Sequence, residues 1–146
     1  MAYASNPEKL TDKSLYNALH YIANEKKIQS DDVEHLLFAK GIGCEAQTAY
    51  SDMLRVQKHF GKRDGNVAYH AIQSFKPGEI TPKECHEIGV DIARKLWGDR
   101  YQVLVTTHLD TRHLHNHFVI NSVSPVNGKK FNDDLSVYFE FRRVSD

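Results

Sequence analysis

Cysteine, long apolar runs and net charge are scarce in this sequence, and each scarcity excludes a class of protein. The two cysteines, Cys44 and Cys85, form no Cys-x-x-Cys pair, so neither a disulfide framework nor a zinc knuckle is expected. Two reduced thiols are typical of a cytoplasmic protein. No apolar run approaches membrane-spanning length, and the first residues lack the apolar core of a secretion signal. We therefore expect a cytoplasmic protein without a membrane segment.

The charges balance, with 19 basic and 19 acidic side chains. A neutral chain does not attract nucleic acid through its overall field, so any DNA site must come from a local patch. The 146 residues, 40% of them hydrophobic, are enough for one core, and no linker or low-complexity stretch divides them. We expect a single domain over residues 1–146.

Apolar periodicity and turn residues divide the chain into alternating helices and strands. The capping box Thr81-Pro82-Lys83-Glu84 gives one helix the strongest signal. Predicted helices cover 11–25, 46–60, 81–97 and 133–146, and predicted strands cover 36–42, 67–75, 101–108 and 115–123. This order favours an α+β fold, an antiparallel sheet whose central hairpin is 101–108 with 115–123. The helices 46–60 and 81–97 are expected against one face of that sheet.

Four of the nine histidines fall between residues 108 and 117. His115 and His117 are two apart on a strand and share a face, while His108 ends the partner strand. Three neutral imidazoles suit a divalent metal and leave coordination positions open, as a catalytic metal requires. Asp110 is a candidate to orient a ligand imidazole or to accept a proton. The alternatives are histidines that only form hydrogen bonds and an ordinary turn aspartate.

These residues carry a resemblance to a known family. The pattern His108-x-Asp110-x4-His115-x-His117 resembles the third motif of MobA/VirD2-type relaxases, which are HUH endonucleases. The stretch 68–82 resembles the second motif, which the family associates with DNA beside the nick, and 117–123 and 128–131 also fit. The resemblance covers roughly residues 36–146.

The resemblance implies a metal-dependent endonuclease that acts at a transfer origin during conjugative transfer of a plasmid or transposon. A tyrosine would attack one phosphodiester of single-stranded DNA, leaving a 5′-phosphotyrosine and a free 3′-hydroxyl. Its ion would be Mg²⁺ or Mn²⁺, its partners would be that DNA and accessory relaxosome proteins, and its location the bacterial cytoplasm. A rolling-circle replication initiator and a truncated, non-catalytic DNA- or metal-binding remnant stay open as alternatives. A small-molecule metallohydrolase is a more distant one.

Two tyrosines compete for the role of nucleophile, because Tyr3 and Tyr21 each begin a similar Tyr-x-x-Asn stretch. The family places its tyrosine on a helix that follows an N-terminal strand. Tyr3 matches that motif better, but it lies at a fraying end, so we favour Tyr21. Since no strand can precede Tyr3, the first strand is expected to be absent. The domain is then truncated at its N-terminus, and also at its C-terminus, where no stop signal appears.

The candidate DNA contacts lie on and just after the strand 67–75. His70 and Ser74 share one strand face and Gln73 lies on the other, while Lys76 follows the strand. Hydroxyl, amide and ammonium groups of this kind bind phosphates or bases. The alternative for Lys76 is an ordinary solvated surface lysine.

Overall fold

The computed structural model describes residues 3–4, 8–22, 38–108 and 114–130, with backbone alone at 3–4 and 20–22. The helices are α1 (Asp12–Ile22), α2 (Ala49–His59) and α3 (Pro82–Ala93). A 3-10 turn precedes α2 at Ala46–Thr48, and a π-helical turn, Arg94–Gly98, extends α3. The strands are β1 (Tyr3–Ala4), β2 (Glu8–Leu10), β3 (Ala39–Ile42), β4 (Ala68–Ser74), β5 (Val103–His108) and β6 (His115–Asn121). The helix predicted for 133–146 lies outside the described residues.

The six strands among the described residues form one antiparallel sheet. Its order is β1-β4-β6-β5-β3, and β2 pairs with β4 on the same edge as β1. The hairpin of β5 and β6 therefore occupies the centre, as the sequence predicted. The α+β fold class is confirmed.

The helices cover both faces of the sheet, so the prediction that 46–60 and 81–97 share one face is wrong. On one face α3 and its π-helical turn pack over Phe118, with Trp97 edge-on to its ring at 5.7 Å between centroids. On the other face α1 and α2 pack over Leu104 and Val119. The physical reason is that β5 and β6 carry apolar residues at successive positions, which gives both faces a surface to bury.

The N-terminal residues supply the edge of the sheet. Tyr3 and Ala4 of β1 pair with Ser74 and Gln73, and β2 pairs with the first half of β4. The first strand was expected to be absent, and this is wrong: two short strands precede α1. These strands are two and three residues long, which is too short for an alternation of apolar and polar residues to show in the sequence. They are recognised as strands because they pair with β4.

The start of α3 follows its sequence signal closely. The Thr81 hydroxyl accepts from the Glu84 backbone N–H, and the Glu84 carboxylate accepts from the Thr81 N–H. Those two hydrogen bonds satisfy backbone N–H groups at the start of the helix, which have no partner within the helix itself. Hydrogen bonds to the Glu84 carboxylate, first from the Thr81 backbone N–H and then from the Thr81 side chain, hold the pKa of that carboxyl below its usual value.

Candidate active site

Strand register gathers the predicted histidines at one end of the sheet. His108 lies directly opposite His115 across the central hairpin, and His117 lies opposite Thr106. On the other side of β6, His117 is opposite Ile72 and His115 is opposite Ser74. Because strand side chains alternate, these histidines share the face covered by α1 and α2, which we call the histidine face.

The rings on the histidine face lie close together. The ring centroids of His108 and His117 are 4.0 Å apart, and those of His115 and His117 are 6.4 Å apart. His70 joins them: its Nε2 is 2.9 Å from Nδ1 of His117, and the two rings stack at 5.1 Å. The sequence grouped the first three, and it treated His70 only as a DNA contact, since residues far apart in sequence reveal no shared cluster until the β4–β6 register is known.

Burial keeps the central imidazole neutral. The pKa of His117 falls to about 3, first because of burial and then because His108, His70 and His115 would repel a second positive charge. Burial also lowers the pKa of His70, against a smaller opposing effect of Glu8 across the strand pair. A neutral ring keeps a lone pair, and this is the state in which imidazole binds a metal.

The histidine cluster has the donor atoms that a metal needs, but they are not arranged as a metal site. The donors suit a divalent ion, because four imidazoles share one half-buried face. In arrangement, no three His, Cys, Asp or Glu side chains among the described residues are set around one point as a metal site. The metal therefore stays a prediction supported by the donor set.

The two candidate nucleophiles occupy different elements. Tyr21 is the second-last residue of α1, the helix that packs on the histidine face through Leu15 and Leu19. Tyr3 lies on β1, beside Ser74, on a strand and not on a helix as the family motif would require. Asp110 lies outside the described residues, so its predicted role is untested.

The predicted DNA contacts separate. Ser74 is half-buried on the histidine face and Lys76 is exposed just beyond β4, where its backbone N–H donates to Glu79. Gln73 is fully buried on the opposite face, where its Oε1 accepts from Asn116. Its assignment as a DNA contact is wrong for this arrangement, because a side chain enclosed on the far side of the sheet cannot meet a ligand on the histidine face.

Behind the histidines lies a buried polar group that the sequence did not reveal. The Asn116 Oδ1 accepts from the Thr107 hydroxyl at 2.6 Å, and its Nδ2 donates to Gln73 Oε1 at 3.0 Å and to the Cys85 carbonyl at 2.7 Å. His86 joins through Nδ1, 3.1 Å from the Thr107 hydroxyl. Alternation alone places Asn116 opposite to its neighbouring histidines, but only the fold supplies its partners.

The fold defines the class of protein. It is an α+β domain whose central hairpin carries a group of histidines at one end of the sheet, with a tyrosine-bearing helix over the histidine face. No helix in the described part of the chain has the length and apolar character needed to cross a membrane. Residues 21–146 match the family "Relaxase: MobA/VirD2-like, nuclease domain". The chain belongs to this family.

Named relatives agree with the match. A Staphylococcus aureus protein called protein rlx is 41% identical over 105 residues, 72% of this chain and 32% of that protein. A second S. aureus protein rlx is 46% identical over 106 residues, 73% of this chain and 33% of its own length. The group II intron-interrupted relaxase LtrB of Lactococcus lactis is 29% identical over 139 residues, 88% of this chain and 23% of LtrB. The chain spans about a third or less of these relatives' lengths.

Proposed function

We propose that this chain is a relaxase nuclease domain that nicks single-stranded DNA at a transfer origin during mobilisation of a plasmid or transposon. The observation that carries the proposal is the gathering of four histidines on the sheet face beneath the tyrosine-bearing α1. The family match and the relatives named as relaxases support the same role. They favour it over a replication initiator.

The reaction we propose is a transesterification by Tyr21. Its phenolic oxygen attacks the scissile phosphorus, a new P–O bond forms to the tyrosine, and the bond from phosphorus to the 3′-oxygen breaks. The phenolic proton goes to a base, and the leaving 3′-oxygen takes up a proton to become a hydroxyl. The 5′-phosphotyrosine retains a phosphodiester, so the strand can be rejoined by the reverse reaction without another energy source.

Chain direction favours Tyr21. Strand β2 ends opposite Ala68, and α1 begins two residues later and packs back onto the sheet. Nine residues of helix from Asp12 to Tyr21 advance about 14 Å. Four residues of strand from Ala68 to Ile72, the partner of His117, also cover about 14 Å. We infer that the C-terminal end of α1 lies near the histidine end of the sheet.

The residues that would hold Mg²⁺ or Mn²⁺ are His108, His115 and His117. A bound divalent ion supplies a Lewis acid for the scissile phosphate and offsets the charge that develops on it. His70 contacts Nδ1 of His117 and thereby orients that ring, leaving Nε2 of His117 for a ligand. The low pKa of His117 keeps its ring neutral at physiological pH.

Single-stranded DNA would cross the histidine face beside the edge formed by β1 and β4. Ser74 lies there and its hydroxyl can bind a phosphate oxygen. The exposed Lys76 can neutralise a phosphate farther along the strand. The domain has no net charge with which to attract DNA. Accessory relaxosome proteins would help it to select its transfer origin.

The test is covalent capture of DNA. The chain is incubated with Mg²⁺ or Mn²⁺ and labelled oligonucleotides tiled across the transfer origin, and the adduct is resolved in denaturing gels. We expect an adduct with the unaltered chain, none with Tyr21→Phe, and adducts with Tyr3→Phe and Tyr16→Phe. Tyr16 is the matched control, because it lies on the same helix and is 47% exposed. An adduct kept by Tyr21→Phe and lost by Tyr3→Phe would transfer the role to Tyr3.

A parallel measurement separates binding from chemistry. His115→Ala and His117→Ala should abolish the adduct and weaken Mn²⁺ binding in calorimetry, whereas exposed His59→Ala should change neither. If the unaltered chain forms no adduct at any origin sequence, the nicking proposal is wrong, and a non-catalytic binding role would account for retained Mn²⁺ and DNA affinity.

A further inference from the structure

Asn116 occupies an unusual position, directly behind the histidines of β6. It stands between His115 and His117 in sequence and points to the opposite face, where it is fully buried. Its carboxamide bonds to Thr107 of β5, to Gln73 of β4 and to the Cys85 carbonyl of α3. One side chain thus joins both strands that flank β6 and the helix that covers them.

Each of the strand partners is next to a residue of the histidine face. Thr107 precedes His108, and Gln73 precedes Ser74. The register makes Thr107 and Gln73 the direct neighbours of Asn116 on either side. Side-chain hydrogen bonds on the far side of the sheet therefore reinforce the backbone pairing of the three strands at this level.

Helix α3 is shaped to accept this carboxamide. A Cβ at Gly89 would lie 2.6 Å from Asn116 Nδ2 and 2.7 Å from its Cγ, which is too close for any side chain. Gly89 therefore lets the helix approach until the Cys85 carbonyl accepts from Asn116. The contact between the helix and the strand is therefore a specific arrangement of Gly89, the Cys85 carbonyl and Asn116.

We infer that Asn116 is a positioning residue for the histidine face, acting through the backbones of β4, β5 and β6. Its carboxamide holds β5 with His108, and β4 with His70, in place beside His115 and His117 from behind, so losing it lets these imidazoles shift relative to one another while the sheet persists. The consequence for DNA cleavage rests on the proposed function. The effect on the imidazoles does not.

Asn121 provides a matched control on the same strand. It is also fully buried, and its side chain bonds to Gln57, to Gln102, to the Met53 carbonyl and to the Val123 backbone N–H. It lies at the other end of β6, opposite Ala68 and away from the histidines. Replacing either asparagine by alanine leaves buried partners unpaired, so both variants should lose similar stability.

The experiment compares Asn116→Ala with Asn121→Ala in the chain without metal. Ring ¹⁵N spectra of the histidines and the free energy of unfolding are measured on both. We expect Asn116→Ala to shift the His115 and His117 ring resonances and to lose the signature of the His70–His117 hydrogen bond. Asn121→Ala should keep both the ring resonances and that signature, although it loses at least as much stability. Identical histidine spectra in the two variants would overturn the inference.

Thr107 supplies a milder pair if Asn116→Ala fails to fold. Thr107→Val removes the hydroxyl that donates to Asn116 at nearly constant shape, and Thr107→Ser retains it. The valine variant should reproduce the spectral shifts and lower kcat for adduct formation about 10- to 100-fold with KM little changed, and serine should restore both. Unchanged spectra and kcat in Thr107→Val would refute the positioning role. Absence of any adduct with the unaltered chain would refute only the proposed nuclease function, since the spectra decide the positioning independently.

Discussion

The two faces of the sheet at its histidine end are built from alternate residues of the same strands, yet their chemistry differs. On the histidine face, His108, His115 and His117 are half-buried, with the ring of His117 4.0 Å from that of His108 and 6.4 Å from that of His115 between centroids. On the far face, Thr107 and Asn116 are fully buried in hydrogen bonds to three elements. A carboxamide whose donors and acceptor are all hydrogen-bonded stays in place, whereas a group of imidazoles retains the capacity to bind a ligand. The far face thus holds the strands in place, and the histidine face carries the groups that can bind a ligand.

The core beneath each face offers the largest test of this comparison. Phe118→Ala on the α3 face should reduce the free energy of unfolding by about 3–5 kcal/mol, because the cavity adds to the lost transfer free energy and to the lost contact with Trp97. Met53→Ala, equally buried on the α1 and α2 face, should cost about 2–5 kcal/mol. Denaturant unfolding measures both. A near-neutral value for either would mean that the corresponding face is not a packed core.

The protonation of His117 tests the histidine face by itself. Burial lowers its folded pKa to about 3 from the ordinary histidine value of 6.5, so the folded state favours the neutral ring. The stabilisation is complete above pH 6.5 and is lost as pH falls toward 3, by at most about 1.4 kcal/mol per pH unit. Unfolding at several pH values in a chelator should show this slope in the unaltered chain and a shallower one in His117→Gln.

The exposed His59 is the control for that slope. His59→Gln should keep the full pH dependence. An equal slope in the unaltered chain and in His117→Gln would show that the acid sensitivity comes from other groups.

Part of this difference between the two faces can be predicted from the sequence. Alternation placed His115 and His117 together, and the capping box began α3, because both signals involve residues close in sequence. The runs Val103-Leu104-Val105 and Phe118-Val119-Ile120 also held a usable signal, since strands apolar at every position are buried on both faces. That signal contradicts the single covered face that was predicted.

Other features depend on pairing between distant segments. His70 enters the cluster only through the β4–β6 register, and β1 and β2 are strands only because β4 binds them. The partners of Asn116 come from three elements that are 9, 31 and 43 residues away. No local pattern encodes such contacts, so the far face could not be predicted beyond its apolar composition.

Gly89 tests the far face at the point where helix and carboxamide meet. Gly89→Ala should lower the free energy of unfolding by about 1–3 kcal/mol through overpacking against Asn116. In the Asn116→Ala background the same change should cost clearly less, because the side chain it meets is gone. A double-mutant cycle by denaturant unfolding measures the difference. Additive costs would show that the close approach strains something other than Asn116.

The smallest expected effect comes from the start of α3, the helix that covers the far face of the sheet. Thr81→Ala removes the hydroxyl that accepts from the Glu84 N–H and should cost about 1 kcal/mol. Thr81→Ser keeps the cap and should cost much less. Because Cys85, whose carbonyl binds Asn116, lies one residue beyond Glu84, the variant also asks how rigidly the helix must be held. If the carboxamide is anchored mainly by Thr107 and Gln73, the ring ¹⁵N spectra of the histidines stay unchanged in Thr81→Ala. Shifted spectra at this small loss of stability would mean that α3 itself, through its first turn, sets the spacing of the histidine face.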